Sequence, residues 1–179
     1  MTAARDALLG QIKAKAIVYG PVVLSSGQVA DWYLDLRRIT LDGEAAPLVG
    51  RVMLDETADL SYDAVGGLTL GADPVATAML HAAASVGRHL DAFVVRKSGK
   101  QHGLQRRIEG PDVAGRRVLA LEDTSTTGAS VLTAVDALRE DGADVVAVAA
   151  IVERGAAPAI AAAGLAYRFV YAVEDLGLA

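Results

Sequence analysis

The chain has 179 residues, a formal net charge of −5 and no cysteine. A chain of this length can bury one sizeable core, and the absence of cysteine excludes thiol catalysis, thiolate metal sites and disulfides. The acidic balance disfavours a nucleic-acid binder, whose footprint is a basic surface. The N-terminus mixes charged with apolar residues and lacks the apolar core of a signal peptide. No run of about 18 uncharged apolar residues occurs, so we expect no membrane span and a cytoplasmic protein.

The first 40 residues predict a helix followed by two extended segments. Thr2 is a candidate N-cap of a helix that runs to about Lys15. The segments VVLSSG and DWYLDLRRI predict two short strands around a turn at residues 25–27. From Trp32 onward apolar and polar side chains alternate, which gives the second segment one apolar and one polar face.

From about residue 42 onward helices and strands alternate. We expect helices near 43–58, 73–87 and 129–141, strands at 64–66, 92–96, 117–122, 144–152 and 167–173, a long loop after the second of these strands, and a short Ala-rich helix before the last. Strands this apolar are typical of a parallel sheet covered on both faces. The alternation predicts an α/β fold with a doubly wound, mainly parallel sheet. We predict one domain over 1–179, with an N-terminal helix and hood at about 1–40 and the core at about 41–179.

The segment EDTSTTGAS joins an apolar strand to a predicted helix. Ligands of such sheets bind beyond the carboxyl ends of the strands. A helix N-terminus offers free backbone N–H groups and a positive dipole end, which attract phosphate. The alternative is a Ser/Thr-capped helix after a strand, and on the turn alone we favour that alternative. The turn contains Thr124, Ser125, Thr126, Thr127, Gly128, Ala129 and Ser130.

Glu122 and Asp123 precede this turn and change its interpretation. A carboxylate is a poor phosphate ligand, but it accepts hydrogen bonds from vicinal hydroxyls and can hold the waters of a Mg²⁺ ion. The acidic pair followed by the turn therefore predicts a binding site for a ribose 5-phosphate. The competing interpretation, a solvated acidic pair that closes a strand, is the minority one.

A cationic segment runs from Arg96 to Arg107 and holds five of the 17 Lys and Arg residues, together with His102 and no acidic residue. Its glycines permit unusual backbone angles. Such a segment could close over a polyanion and neutralise the charge of a leaving group. A solvated basic loop or a nucleic-acid contact is the alternative, and the position beside an anion turn favours the first interpretation.

Together, the apolar run, the acidic pair and the Thr-Thr-Gly turn resemble the phosphoribosyl-diphosphate motif of the type I phosphoribosyltransferases. The cationic segment is similar to the mobile loop of one branch, the orotate phosphoribosyltransferases, whose form is Arg-Lys-x-x-Lys-x-His-Gly. The matching residues are Arg96, Lys97, Lys100, His102 and Gly103. The resemblance implies a homodimer in which the loop 96–107 binds diphosphate at the neighbouring subunit's site.

Three further segments resemble the same branch. VGGLTLGAD is similar to its diphosphate loop, and ERGAA to the place where an arginine binds the orotate carboxylate, a role that falls on Arg154 here. The N-terminal segment resembles its hood at Ser26, Gly27, Tyr33, Asp35 and Arg37. Two positions depart from the pattern: Ser25 stands where many members have a substrate-binding lysine, and Ala30 where many have serine.

The resemblance implies transfer of the phosphoribosyl group of 5-phosphoribosyl 1-diphosphate to orotate, which yields orotidine 5′-phosphate and diphosphate in pyrimidine synthesis. The implied catalytic residues are Lys100, His102 and Asp123. The implied phosphoribosyl-diphosphate-binding residues are Arg96, Lys97, Lys100, His102, Glu122, Asp123 and Thr124 to Ser130. Thr126 and Arg154 would hold orotate, and the cofactor Mg²⁺ would be held mainly through substrate and water, without a direct protein ligand.

Two other functions stay open at this point. One is a transferase of the same fold that uses a purine or another base, which the hood and Arg154 disfavour. The other is a non-catalytic regulator that senses phosphoribosyl diphosphate and binds nucleic acid. Such a regulator would not need Lys97, Lys100 and His102 together, and the acidity of the chain disfavours it.

Overall fold

A computed structural model describes residues 2–23, 29–97 and 107–178. The chain begins with helix α1, Ala3–Gln11, whose N-cap Thr2 accepts a hydrogen bond from the backbone N–H of Arg5 at 3.4 Å. A π-helical turn, Ile12–Ala16, continues it. The predicted cap is therefore confirmed, and the helical path ends within one residue of the expected position. The predicted apolar side is fully buried at Leu8, Ile12 and Ala16.

Two antiparallel strands follow, β1 at Ile17–Val23 and β2 at Val29–Leu34. They form a separate two-stranded sheet, which we call the hood. The predicted turn at 25–27, with Ser25, Ser26 and Gly27, lies outside the described residues.

The expectation of an extended chain through residue 39 is wrong, because Arg37–Thr40 forms a helical turn, α2. Leu36 and Ile39 are both buried, and their spacing of three suits a helix rather than a strand. The backbone N–H of Thr40 donates to Leu36 O at 2.8 Å and closes the turn. The chain therefore leaves the hood and turns at once into the core.

The rest of the chain alternates strands and helices as predicted. The helices are α3 Ala45–Glu56, α4 Ala72–Ser85, α5 Ala129–Glu140 and α6 Ala157–Ala162. The strands are β3 Ala64–Leu68, β4 Asp91–Val95, β5 Ile108–Glu109, β6 Arg117–Ser125, β7 Asp144–Glu153 and β8 Ala166–Ala172, and a 3-10 turn at Val173–Leu176 follows. Over the described ranges, none of these helices combines the length and the apolar character that crossing a membrane requires.

The six-stranded sheet has the order β5-β4-β3-β6-β7-β8. Every neighbouring pair is parallel except β4 with β5. This order confirms the predicted α/β fold with a mainly parallel sheet. The chain moves from β3 to β4 on one side and then returns to β6 on the other side of β3. The order thus reverses between β3 and β6, and ligands bind beyond the carboxyl ends of strands at such a point.

Three details of this sheet differ from the predicted strands. Strand β3 continues to Leu68 rather than ending at Gly66. Strand β6 continues to Ser125 rather than ending at Glu122, because Thr124 and Ser125 still pair with β7. Strand β5 lies inside the segment expected to be a long loop and pairs with β4. A two-residue strand has too few positions to show an alternating pattern.

Both faces of the sheet are buried, as the apolar strands predict. Along β6, Leu119 and Leu121 belong to the cluster that contains α1, α3 and α4, while Val118 and Ala120 belong to the cluster that contains α5 and α6. Alternate side chains of one strand thus enter opposite layers. The two layers fix β6 from both sides and so fix the carboxylates at its end.

The two helices α3 and α4 approach most closely at Gly50. A Cβ atom on Gly50 would lie 2.2 Å from the carbonyl oxygen of Ala78, which is a backbone atom that cannot rotate away. Glycine is therefore needed for this helix contact.

We predict that Gly50→Ala destabilises the protein by about 1–3 kcal/mol, because overpacking forces the helices apart. Gly10→Ala is the matched control, since Gly10 lies in α1 with nothing within 4 Å of the added Cβ. The control should be neutral or gain up to about 1 kcal/mol from helix propensity. Chemical denaturation of both variants measures the difference, and equal stabilities would contradict the packing argument.

Candidate active site

The acidic pair lies in the last part of β6, with both side chains directed toward the loop that connects β3 and α4. Glu122 is 6% exposed, and its partner in β7 is Ala150. A Cβ atom on Gly71 would lie 2.6 Å from Glu122 Oε1 and 2.8 Å from Asp123 Oδ1. Gly71 therefore leaves the space that the two carboxylates occupy at the reversal of strand order.

Burial dominates the electrostatics of this pair. It raises the pKa of Glu122 to about 8, with the negative charge of Asp123 as the second cause. Burial also raises the pKa of Asp123, against the opposing effects of the Thr124 backbone N–H, which donates to Asp123 Oδ1 at 2.7 Å, and of the Arg37 charge. Two carboxylates held together out of water favour a ligand that donates hydrogen bonds or brings positive charge.

The hydroxyl-rich turn and Glu122 of the acidic pair line one cavity. Its volume is about 190 Å³, and it is lined by Glu122, Thr124, Ser125, Thr126, Thr127, Gly128, Ala129 and Ser130. Gly128 is the N-cap of α5 and has φ 78°, a left-handed conformation that favours glycine. The buried Thr124 Oγ1 has no hydrogen-bond partner among the described residues. The predicted anion turn is thus a polar recess at a helix N-terminus, with a carboxylate in its wall.

Arg154 lies beside this recess. Its backbone N–H donates to Ser125 O at 2.9 Å, so the loop after β7 is joined to the turn after β6. Glu153 Oε1 accepts hydrogen bonds from the backbone N–H groups of Gly155 at 2.7 Å and Ala157 at 3.1 Å, which fixes the loop. The Arg154 guanidinium carbon lies 4.6 Å from the ring centroid of Trp32. The hood therefore reaches the carboxyl end of β7.

The glycine-rich loop between β3 and α4 is the second wall near the acidic pair. Thr69 Oγ1 donates to Asp73 Oδ2 at 2.7 Å, and the Thr69 backbone N–H donates to Val95 O at 2.9 Å. These bonds hold the loop against the end of β4. The charge of Asp73 is a further, smaller cause of the raised pKa of Glu122.

The cationic segment starts at the end of β4, and the structure describes its two ends. The Arg96 backbone N–H donates to Arg107 O at 2.8 Å, and the Arg96 guanidinium lies 3.4 Å from Glu109 Oε1. The segment thus leaves and re-enters the core at a hairpin base beside the Thr69 loop. Lys97 lies at this base, whereas Lys100 and His102 lie outside the described residues.

Sequence reasoning missed three residues at the site. Gly71 was one glycine among several in a glycine-rich turn, and Trp32 matched only the apolar side of a strand. Arg37 was noted in the hood, but no pattern linked its charge to Asp123. Arg37 also forms an ion pair with Asp35 at 2.8 Å. Gly71 lies beside the acidic pair, Trp32 beside Arg154, and the charge of Arg37 acts on Asp123. Each of these interactions joins parts of the chain that are distant in sequence, so no local signal could have revealed it.

Comparisons with known proteins agree with this geometry. The model of the phosphoribosyl transferase domain matches residues 52–160. The chain is 71% identical over 177 residues to an orotate phosphoribosyltransferase of Streptomyces avermitilis, covering 97% of each chain.

Solved structures give the same relationship. A Mycobacterium tuberculosis orotate phosphoribosyltransferase in complex with Fe(III) dicitrate is 56% identical with a TM-score of 0.89, covering 98% of this chain and 99% of that one. The enzyme of the same organism in complex with 5-phospho-alpha-D-ribosyl 1-diphosphate is 51% identical with a TM-score of 0.85, with the same coverage. The chain therefore belongs to the orotate phosphoribosyltransferase family.

Proposed function

We propose that this protein transfers the phosphoribosyl group of 5-phosphoribosyl 1-diphosphate to orotate and releases orotidine 5′-phosphate and diphosphate. The observation that carries the proposal is the single recess in which the buried carboxylate Glu122 meets the hydroxyl-rich turn 124–130. A ribose 5-phosphate has the matching order of groups, with vicinal hydroxyls one sugar length from a phosphate. The family relationship supports the same reaction.

Different residues of the recess bind the two parts of the ribose phosphate. The backbone N–H groups and hydroxyls of Thr124 to Ser130 bind the 5-phosphate at the N-terminus of α5. Glu122 and Asp123 accept hydrogen bonds from the ribose hydroxyls. Positive charge develops at C1 of the ribose as diphosphate departs, and the negative charge of Asp123 favours that state. Anchoring both ends of the sugar supplies the orientation that the transfer needs.

Orotate occupies the space between the turn and the hood. Thr126 is a hydrogen-bonding partner for the base, and Arg154 binds its carboxylate through a planar guanidinium. The Arg154–Ser125 backbone hydrogen bond supports this assignment, because it brings the arginine to the recess that holds the sugar.

The departing diphosphate is neutralised by the cationic segment 96–107. In this proposal Arg96 and Lys97 bind the diphosphate at the hairpin base, and Lys100 and His102 close over its oxygens. The bond from the Thr69 N–H to Val95 O supports the placement, since it brings the glycine-rich loop to the same end of β4.

In this proposal Mg²⁺ is held mainly through substrate and water. The carboxylates of Glu122 and Asp123, whose pKa values are raised, suit a dication nearby, because its charge would favour their ionised forms. When bound, Mg²⁺ supplies positive charge at the diphosphate oxygens.

The proposal includes a cytoplasmic homodimer formed by one domain, 1–179, in which the segment 96–107 of each subunit acts at the partner's site. A groove of about 1180 Å³ between α3 and α4 supports a subunit contact. Three apolar side chains that line this groove are largely exposed: Leu41 at 73%, Leu70 at 68% and Val86 at 75%. Exposed apolar side chains of this size mark interaction surfaces. Leu70 directly precedes Gly71, so a subunit in the groove lies at the rim of the site.

We predict that the purified protein releases diphosphate from 5-phosphoribosyl 1-diphosphate only when orotate and Mg²⁺ are both added. Adenine, guanine and hypoxanthine serve as matched base controls, because none carries a carboxylate for Arg154. Faster release with a purine would assign the protein to a purine-type transferase. Binding of the phosphoribosyl diphosphate without any base-dependent release would assign it to a sensing regulator.

We predict that Asp123→Asn and Lys100→Ala are each folded and nearly inactive, and that mixing them restores activity. The mixed dimer holds one site with Asp123 and the partner's Lys100, so random exchange of subunits gives about a quarter of wild-type activity. The assay is orotate-dependent diphosphate release after partial denaturation and joint refolding.

The control for this mixing experiment is the double variant Asp123→Asn/Lys100→Ala, mixed with each single variant. Such mixtures contain no complete site and should stay inactive. If the two single variants also stay inactive together while circular dichroism shows native folds, the segment does not act across the dimer.

We predict that Glu122→Gln stabilises the free protein at alkaline pH. The folded pKa of Glu122 is raised to about 8 from the ordinary 4.5, so ionisation costs folding free energy as pH rises through that window. The gain over wild type should be near zero at about pH 4.5 and grow to a few kcal/mol above about pH 8, since each pKa unit corresponds to about 1.4 kcal/mol. Glu140→Gln, an exposed change at the end of α5, is the matched control. Thermal unfolding across this pH range measures the stability of both variants. A gain in Glu122→Gln that does not vary with pH would refute the raised pKa of Glu122.

A further inference from the structure

The only tryptophan of the chain lies against the arginine assigned to the base. Trp32 belongs to β2 of the hood and is partly buried against the main core cluster. Arg154 belongs to the loop that follows β7. The guanidinium carbon stands over the indole ring at 4.6 Å from its centroid, well within the range of a cation–π contact.

Besides Trp32, the Arg154 side chain has few partners among the described residues. Burial lowers the pKa of its guanidinium from the ordinary value, nearby Tyr33 acts in the opposite direction to a smaller extent, and no carboxylate of the described residues forms an ion pair with it. A partly desolvated cation without an anion is costly to a folded protein. Its backbone N–H is bonded to Ser125 O, and Glu153 fixes its loop, so the side chain extends from a fixed backbone. Among the described residues, Arg154 is thus a cation on a fixed backbone without an anionic partner.

A guanidinium has two separate binding surfaces, a flat face and an edge of N–H donors. With its carbon over the indole ring of Trp32, the guanidinium can still offer its edge of N–H donors to a carboxylate. Resting on a ring also restricts rotation about the last bonds of the arginine side chain. The entropy of ordering that side chain is then lost on folding and not on binding of the ligand.

We propose that Trp32 is a positioning residue that holds the Arg154 guanidinium in the plane required for bidentate binding of the orotate carboxylate. This inference rests on the proposed function. It adds a hood residue that touches the arginine, and it gives the hood a role in selecting a base that carries a carboxylate.

The kinetic test compares Trp32→Leu with wild type in steady-state assays with orotate and 5-phosphoribosyl 1-diphosphate. Leucine keeps an apolar side chain on the strand but removes the π face. We expect the KM for orotate to rise about 10-fold while the KM for phosphoribosyl diphosphate and kcat change less than about 2-fold, because the lost contact acts on binding of one substrate.

Two further variants separate positioning from folding. Trp32→Phe keeps an aromatic face and should hold the KM for orotate within about 3-fold of wild type. Tyr19→Leu is the matched control, because Tyr19 pairs with Trp32 across the hood ladder and is 72% exposed. It removes an aromatic ring from the same two-stranded sheet and should leave all three kinetic constants unchanged.

The contact itself is read by fluorescence, since Trp32 is the only tryptophan. We expect Arg154→Met to change the emission spectrum of the free protein, because the cation beside the indole is removed. Arg139→Met, an exposed change in the last turn of α5, is the control and should leave the emission as in wild type.

The outcomes distinguish the inference from the function. If wild type uses orotate but Trp32→Leu retains the wild-type KM for orotate, or Trp32→Phe loses as much as Trp32→Leu, the positioning role is refuted and the proposed function stands. An unchanged emission spectrum in Arg154→Met likewise refutes the contact. If wild type does not use orotate, the proposed function fails, and the inference fails with it.

Discussion

The burial of two adjacent carboxylates at the point where the strand order reverses is the constraint on which the site depends. Glu122 is buried and Asp123 is partly buried in a strand that helices cover on both faces, so the two carboxylates are held next to each other. Their raised pKa values reflect the free-energy cost of ionising two carboxylates in this place. Gly71 leaves room for this arrangement, because a Cβ atom there would lie 2.6 Å from Glu122 Oε1 and 2.8 Å from Asp123 Oδ1. A protein keeps such a costly pair where a ligand relieves it.

The other parts of the site are arranged around that pair by backbone hydrogen bonds. The turn after β6 continues the strand that carries the carboxylates, and the loop after β7 is joined to it through Ser125. The glycine-rich loop after β3 is tied to the end of β4, where the cationic segment starts. Four strand ends therefore contribute to one surface, which is the general advantage of a parallel sheet. The hood, outside the six-stranded sheet, also reaches this surface, through Trp32.

The sequence predicted the features that depend on periodicity and on local chemistry. The helices, the buried parallel strands, the Thr2 cap and the hydroxyl-rich turn before α5 all follow from patterns within a few residues. The exceptions have physical reasons. The helical turn at Arg37–Thr40 was expected to be extended because the alternation of DWYLDL appeared to continue into it, yet Leu36 and Ile39 reach the core with helical spacing. The short β5 depends on its pairing with β4, and that pairing is not encoded in its two residues.

The hydrogen bond from the Arg154 backbone to Ser125 O has a consequence for the size of ligand that the protein accepts. It links the residue assigned to the base with the turn assigned to the phosphate through one short stretch of main chain. The separation between the two anchors is then a property of the sheet and not of mobile side chains. In the proposed reaction, a ligand whose carboxylate and phosphate lie at another separation would reach only one of these two anchors.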